Sequence, residues 1–580
     1  MPYARRMAAT LVAVALSFQG IRGAEAPSPL RLIPEDVDLL VRVPQVRRVA
    51  VDVTQLEVLH KLEALSGFRE ALGSTRFRHF RQFVSYYEKE MGAAWPEILD
   101  EIAGGGLAAG VKVGKQKGPA LLVVQGRDEQ AVHRFAGISL RILNEEAARA
   151  DEKAAVTKGN YRGVETIHVG DALWAAVAGS AILVSNNEAL LKSAIDLHAG
   201  AGGKSCLDKP ALQEAAKLVP ADALATLCFN LETIRKDANA AAILKAGPRD
   251  DAALTILVGG YLDIIGRSPY VTAALCRDAD GFAINVRMPK GRNGMGPDSL
   301  LHVPPADAAA GGRPLLEPKG VLFSTCFYMD VARIWQDRNK IFTDKVAKSF
   351  EKADKDTNQF LAALRISKVL PMVGTRHRFV ATCQPDSAYK APSGVPIPAF
   401  ALVSELRQPE EFGQTMEAAL RGGALLAGFK FNLQLAEEKV GDVTLIGYRF
   451  GEKQGDLGDF DGKLLRYYSP CFARVGDQFF VSSTIELGRE LVRTLQVEKK
   501  IDGGTAVTTR VYGAGAADYL QSIEDTLVSQ AVLDRALTLD EAAAEVKAGL
   551  ALLRSLGPVN VSVRYDAERF NYDFRLKGLK

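Results

Sequence analysis

Only a few stretches of this chain bring together side chains that do chemistry, and each lacks part of the set its chemistry needs. His60-Lys61-Leu62-Glu63-Ala64 begins like the inverted zinc motif HxxEH, where two histidines hold the ion and the glutamate serves as base. Ala64 stands where the second histidine belongs. The segment therefore reads as a solvated helix with Val58, Leu59 and Leu62 turned inward. Ser349-Phe350-Glu351-Lys352 matches SxxK, but the SDN and KTG elements that accompany it in penicillin-binding enzymes are missing, and no G-x-S-x-G elbow occurs. The stretch from Val511 to Asp518 holds Gly513 and Gly515, two of the three glycines of a dinucleotide loop. Asp518 occupies the third position, where a small residue lets helix and strand approach, so a flexible turn is expected. Gly455 to Gly462 is an acidic, glycine-rich loop. Its Asp456, Asp459 and Asp461 carry the oxygens that Ca²⁺ prefers, at a spacing unlike an EF-hand. The seven histidines are scattered, with no two at ligand spacing. No catalytic residue and no cofactor is expected.

The remaining chemical feature is basic. Between Arg76 and Phe83, arginines alternate with aromatics. Phe77, Phe80, Val84 and Tyr87 recur at helical spacing, which predicts an amphipathic helix. Arg78, Arg81 and Lys89 fall off that face and form a solvated edge, or Arg76, Arg78 and Arg81 contact an anionic surface such as phospholipid.

Charge and composition limit the partners. The chain has 580 residues, 72 basic and 69 acidic. Arg5 and Arg6, the apolar run Met7 to Phe18 and the small-x-small pattern Ala24-Glu25-Ala26 read as a signal peptide spanning residues 1–26. Losing Arg5, Arg6 and Arg22 leaves 69 basic against 69 acidic residues. A balanced chain argues against nucleic acid as partner. No later stretch is apolar for long enough to span a membrane. The expected location is periplasmic or extracellular. Of the six cysteines, Cys228, Cys276 and Cys326 lie in apolar strand-like runs and read as free and buried, although an exported protein is able to form disulfides.

The elements that would position any site are repeated. Strings starting at Leu32, Leu218 and Leu316 each carry Leu-x-Pro, a polar step, an apolar strand and a helix start, with Pro34, Pro220 and Pro318 fixing the approach to the strand. A fourth, from Thr505, lacks the proline. A strand–turn–strand–helix module starts at Trp174 and again at Cys471. Its turns fall at Gly179 and Gly476, and its capping boxes pair Ser185 with Glu188 and Ser483 with Glu486. A hairpin module from Val271 aligns without gaps to one from Val559, matching Asp278 with Asp566 and Phe282 with Phe570.

This order runs through twice. The halves are residues 27–291 and 315–580, joined by a Gly- and Pro-rich linker at 292–314. Period-two strands joined by hairpins predict antiparallel sheets covered by helices, an α+β class with pseudo-twofold duplication. The opener at Leu32, Pro34 and Asp36 and the closing Phe479-Phe480-Val481-Ser482-Ser483 resemble a family of large exported bacterial proteins of unknown function. That resemblance implies the same scaffold and no particular activity. The expectation is a non-enzymatic binding or scaffold protein of the cell envelope, taking another envelope protein or a small ligand. A hydrolase with an unrecognised site and a peripheral protein on anionic lipid are the alternatives.

Overall fold

The computed structural model describes residues 27–579 except for 115–117, 150–155, 171–172, 246, 306–310, 361–363, 386–396, 432, 451–466, 500 and 503–504. Segment 1–26, read above as a signal peptide, and the stretch with Asp456, Asp459 and Asp461, read as an acidic loop, lie outside the described residues. Helix makes up 45% and antiparallel sheet 29%, which is the α+β class. Contacts divide the chain into two compact units. One contains the residues up to Asp237 with Pro269–Arg287; the other contains Ala238–Ser268 with Met288–Gly578. Ala238–Ser268, inside the 27–291 span, thus packs with the second unit.

The first unit holds β1 (Leu39–Val43), β2 (Gly106–Val111), β3 (Ala120–Gln125), β4 (Val156–Tyr161), β5 (Val164–Val169), β6 (Leu173–Ala178), β7 (Ala181–Ser185), β8 (Ala225–Asn230), β9 (Tyr270–Asp278) and β10 (Gly281–Pro289). Their order across the sheet is β4-β5-β6-β7-β3-β2-β1-β8-β9-β10, every pair antiparallel. The second unit holds β11 (Val321–Tyr328), β12 (Val373–Thr382), β13 (Ala399–Leu406), β14 (Leu433–Val440), β15 (Val443–Phe450), β16 (Cys471–Val475), β17 (Gln478–Ser482), β18 (Val507–Val511), β19 (Val559–Tyr565) and β20 (Arg569–Lys577). Their order is β14-β15-β16-β17-β13-β12-β11-β18-β19-β20, again antiparallel throughout. Adding ten to each strand number of the first order gives the second. The three Leu-led openers and the fourth copy from Thr505 become β1, β8, β11 and β18, which pair in the middle of their sheets as β1 with β8 and β11 with β18.

Each sheet buries one face under a helix that follows a tight hairpin. Gly179 and Gly476 make those hairpins at φ 58° each, a left-handed conformation that glycine adopts without a Cβ penalty. In the first unit, Leu121, Val123 and Leu183 pack with Leu191 and Ile195 of the helix Glu188–His198. In the second, Val380, Ala401 and Phe480 pack with Leu487 and Leu491 of Ile485–Val497. The caps of these helices differ from the expected boxes. Asn187 accepts from Leu190 N at 3.0 Å, and Thr484 from Leu487 N at 3.3 Å. Ser185 and Ser483 instead tie the neighbouring strands, Ser185 Oγ donating to Ala120 O and Ser483 Oγ accepting from Phe400 N. The chain is still extended at the serines, and the helix begins only once it has left the sheet.

The opposite face is covered over part of its area only. In the first unit, α1 (Thr75–Met91), α2 (Trp95–Ala103) and α3 (Glu129–Arg149) lie over Val43, Leu107, Val124 and Ile182. In the second, α4 (Pro409–Phe431) lies over Leu406, Phe472 and Phe479 through Phe412, Met416 and Leu420.

The stretch expected as a flexible loop after Val511 is a helix, α5 (Gly513–Gln521). Its glycines allow close packing: a Cβ on Gly515 would sit 2.0 Å from Val321 O. Gly515→Ala should therefore destabilise the protein by about 1–3 kcal/mol, as overpacking does. Gly549 lies inside the helix Leu539–Ser555 with nothing within 4 Å of an added Cβ. Gly549→Ala should stabilise by roughly 0.5–1 kcal/mol. Urea unfolding of the two variants checks both signs.

Candidate ligand surface

The motif fragments separate in the fold. His60 is exposed and lies 3.9 Å from Glu63. Val58, Leu59 and Leu62, expected to point inward, are only half-buried, and their helix Glu57–Leu62 contains no buried residue. Ser349 Oγ donates to Lys345 O on an exposed helical face, so the SxxK serine is engaged by its own backbone. Asp518 pairs with Arg554 at 3.0 Å. Among the described residues no group of three or more His, Cys, Asp or Glu is placed to hold a metal ion. All six cysteines are free. No helix of the described residues is long and apolar enough to cross a membrane.

The antiparallel register defines a second kind of surface. Residues paired directly across an antiparallel ladder share a face. One row crosses the second sheet as Phe574, Val561, Thr509, Thr325, Phe379, Leu402 and Val481. The row beside it runs Leu576, Val559, Val511, Phe323, Ala381 and Phe400. None of these side chains is ionisable. The two threonines bond to each other at 2.7 Å. Phe400 and Leu402 are each 45% exposed and Val481 46%. Phe379 lies 6.1 Å from Phe323 and 6.3 Å from Phe400, ring centre to ring centre, which makes an aromatic strip along the face. The row in the first sheet that corresponds strand for strand is Val286, Ala273, Leu227, Val41, Ala109, Leu122 and Val184, all half-buried and all apolar.

An antiparallel sheet with one face in water ordinarily alternates apolar and polar residues. These faces do not: the side chains paired along the named rows are apolar or uncharged. Their signal in the sequence is the unbroken apolar run, as in Leu121-Leu122-Val123-Val124 or Phe400-Ala401-Leu402-Val403. Such a run means that both faces of the strand are apolar.

A third surface lies on α1. Arg78, Arg81, Gln82, Ser85, Tyr86 and Lys89 line an open groove of about 630 Å³. Arg76, Arg78, Arg81 and Lys89 are exposed, and none makes an ion pair with a described residue. Both acids of the helix are engaged: Glu90 pairs with Arg141, and Glu88 accepts from Trp95 N at 3.0 Å. The fold thus places Arg78, Arg81 and Lys89, the cations that fall off the apolar face in the sequence, along one groove.

The buried titratable groups act within the fold. His302 Nδ1 accepts from Gly260 N at 3.2 Å, and Nε2 lies 2.7 Å from Ile256 O. His377 Nδ1 lies 3.0 Å from Ser404 Oγ, and Nε2 lies 2.9 Å from Met329 O. Each ring is therefore neutral with its proton on Nε2, and burial pushes each pKa below the ordinary imidazole range. Asp298, 1% exposed, is raised by burial and then by the neighbouring Asp263 carboxylate, against the pull of Arg249.

No family model matches this chain, and no curated protein is similar to it. Among solved structures, crystal form I of TP0453 aligns to 46% of this chain and 80% of its own length, at 10% identity and a TM-score of 0.23. A likeness that slight carries no argument about fold or function.

Because both histidines are neutral in the fold and protonate more readily when unfolded, their contribution is complete above the ordinary imidazole pKa of about 6.5 and is lost as pH falls below it. The urea midpoint should drop between about pH 7 and 5. A His302→Gln/His377→Gln variant should show a flatter dependence over that window. Asp298 works in the opposite direction, since a raised carboxyl stabilises the fold more as pH falls. The comparison between wild type and the double variant isolates the histidines.

Proposed function

We propose that the protein is an exported, non-enzymatic binding protein of the cell envelope, built by duplication of one sheet-and-helix half, and that it holds an apolar ligand against the open halves of its sheets. The observation that carries this reading is the uncharged row from Phe574 to Val481 with its counterpart from Val286 to Val184. The two rows occupy matching strands, and the hairpin alignment of Val271 with Val559 sets Ala273 on Val561 and Val286 on Phe574. An ordinary protein surface brought against such a face would strand its charges without partners or water. A ligand without charge along its length loses nothing there and gains the burial of its apolar area. The leader at residues 1–26 and the resemblance of the opener and closing strand to an exported family support placement in the envelope.

An uncharged fluorophore, N-phenyl-1-naphthylamine, tests the surface directly. It should bind the purified protein with a blue-shifted, enhanced emission. Leu402→Asp in the second sheet and Leu122→Asp in the first should together weaken binding at least tenfold. Unchanged affinity in the double variant, or turnover of a substrate assigned to residues elsewhere, would overturn the reading.

A further inference from the structure

We infer that the helical segment 57–91 is a docking surface for an anionic phospholipid bilayer, a role separate from apolar-ligand binding by the sheets. A helix at the surface of a globular unit normally buries one apolar stripe against the core. Here the helices Glu57–Leu62 and Ser66–Gly73 bury no residue, and α1 buries only Tyr87 and Met91, near its C-terminus. Val58, Leu62, Phe68, Phe77 and Phe80 are all left half-exposed. The segment therefore carries more apolar side chain than the protein covers.

The cations lie beside this surplus in a defined arrangement. Arg78, Arg81, Gln82, Ser85 and Lys89 fall at positions i, i+3, i+4, i+7 and i+11, so they form one stripe along α1, and they line the groove together with Tyr86. Arg78, Arg81 and Lys89 have no carboxylate partner among the described residues, while Glu88 and Glu90 are held by Trp95 N and Arg141. The Arg81 guanidinium rests 5.5 Å from the centre of the Phe77 ring, which holds one cation against an aromatic face. A stripe of unpartnered cations fits phosphate, and arginine offers it paired donors. Cations beside half-exposed aromatic and aliphatic side chains fit a phospholipid headgroup layer with hydrocarbon beneath it. A purely polar polyanion would use the cations and leave the phenylalanines in water. Because the chain outside the leader is neutral overall, this attraction is local to the helix.

Flotation of the purified protein with vesicles separates the possibilities. The protein should float with phosphatidylcholine vesicles that contain phosphatidylglycerol, remain behind with phosphatidylcholine alone, and be released by salt. Arg78→Glu/Arg81→Glu/Lys89→Glu should lower the bound fraction at least tenfold while leaving the thermal unfolding midpoint and fluorophore affinity unchanged, since all three side chains are exposed. Phe77→Ala/Phe80→Ser should weaken flotation without changing its salt dependence. The Leu122→Asp/Leu402→Asp variant should float as wild type does, so loss of ligand binding and loss of docking are read separately. Equal binding by the charge-reversal variant, or equal binding to pure phosphatidylcholine, would overturn the inference. Heparin binding as tight as vesicle binding, with no effect of the phenylalanine changes, would overturn it in favour of a soluble polyanion.

Discussion

Antiparallel pairing forces neighbouring residues of a strand to opposite faces, and most features of both units follow from that constraint. Once the register is set, a side chain has only two places to go. In each sheet one face is sealed by the helix that follows the tight hairpin, and the other is sealed over part of its area by a separate helical layer. Residues of the same strand and the same parity therefore differ in fate. Leu406 is buried under α4, while Leu402, on the same parity but farther from that layer, is 45% exposed.

Charge is sorted against the usual preference. Arg378 is 1% exposed, whereas the next residue, Phe379, is only half-buried. The arginine points to the covered face, where the Glu498 carboxylate and Gln478 Oε1 accept from its guanidinium and Pro314 O accepts at 3.0 Å. Arg313 reaches the same Glu498 and also Asp477, at 2.6 Å. Burying a charge is tolerable when it is paired, and this network pairs both arginines with carboxylates, leaving only Arg313 Nε without a partner among the described residues of the network. Its effect on the rest of the unit is that the open face keeps no ionisable side chain in its central rows. The segment just before β11 is fastened to the sheet by the same bonds.

Much of the scaffold was readable in the sequence. The Leu-led openers became central strands, the aligned modules from Val271 and Val559 became hairpins, and Gly179 and Gly476 became the tight turns. These are local signals: periodicity, a proline before a strand, a glycine where φ must be positive. The caps were read two residues too early at Ser185 and one too early at Ser483, because a serine at the end of a strand has a second use, bonding the adjacent strand. The Gly513 stretch was read as a turn because glycine suggests freedom when the strand it must approach is not in view. The cations of the basic groove, Arg78, Arg81 and Lys89, were legible together, because all three fall off the apolar face at helical spacing.

By itself the sequence determined the element types, the repetition of modules, the balanced charge and the basic helix, because each depends on residues close together along the chain. The tertiary structure decided which strands lie side by side, and that alone turned scattered residues such as Phe323, Phe379, Leu402 and Val481 into one uncharged face. It also decided that the acids of α1 are occupied while its cations are free. Both outcomes depend on partners tens to hundreds of residues away, where spacing in the sequence carries no information about distance in space.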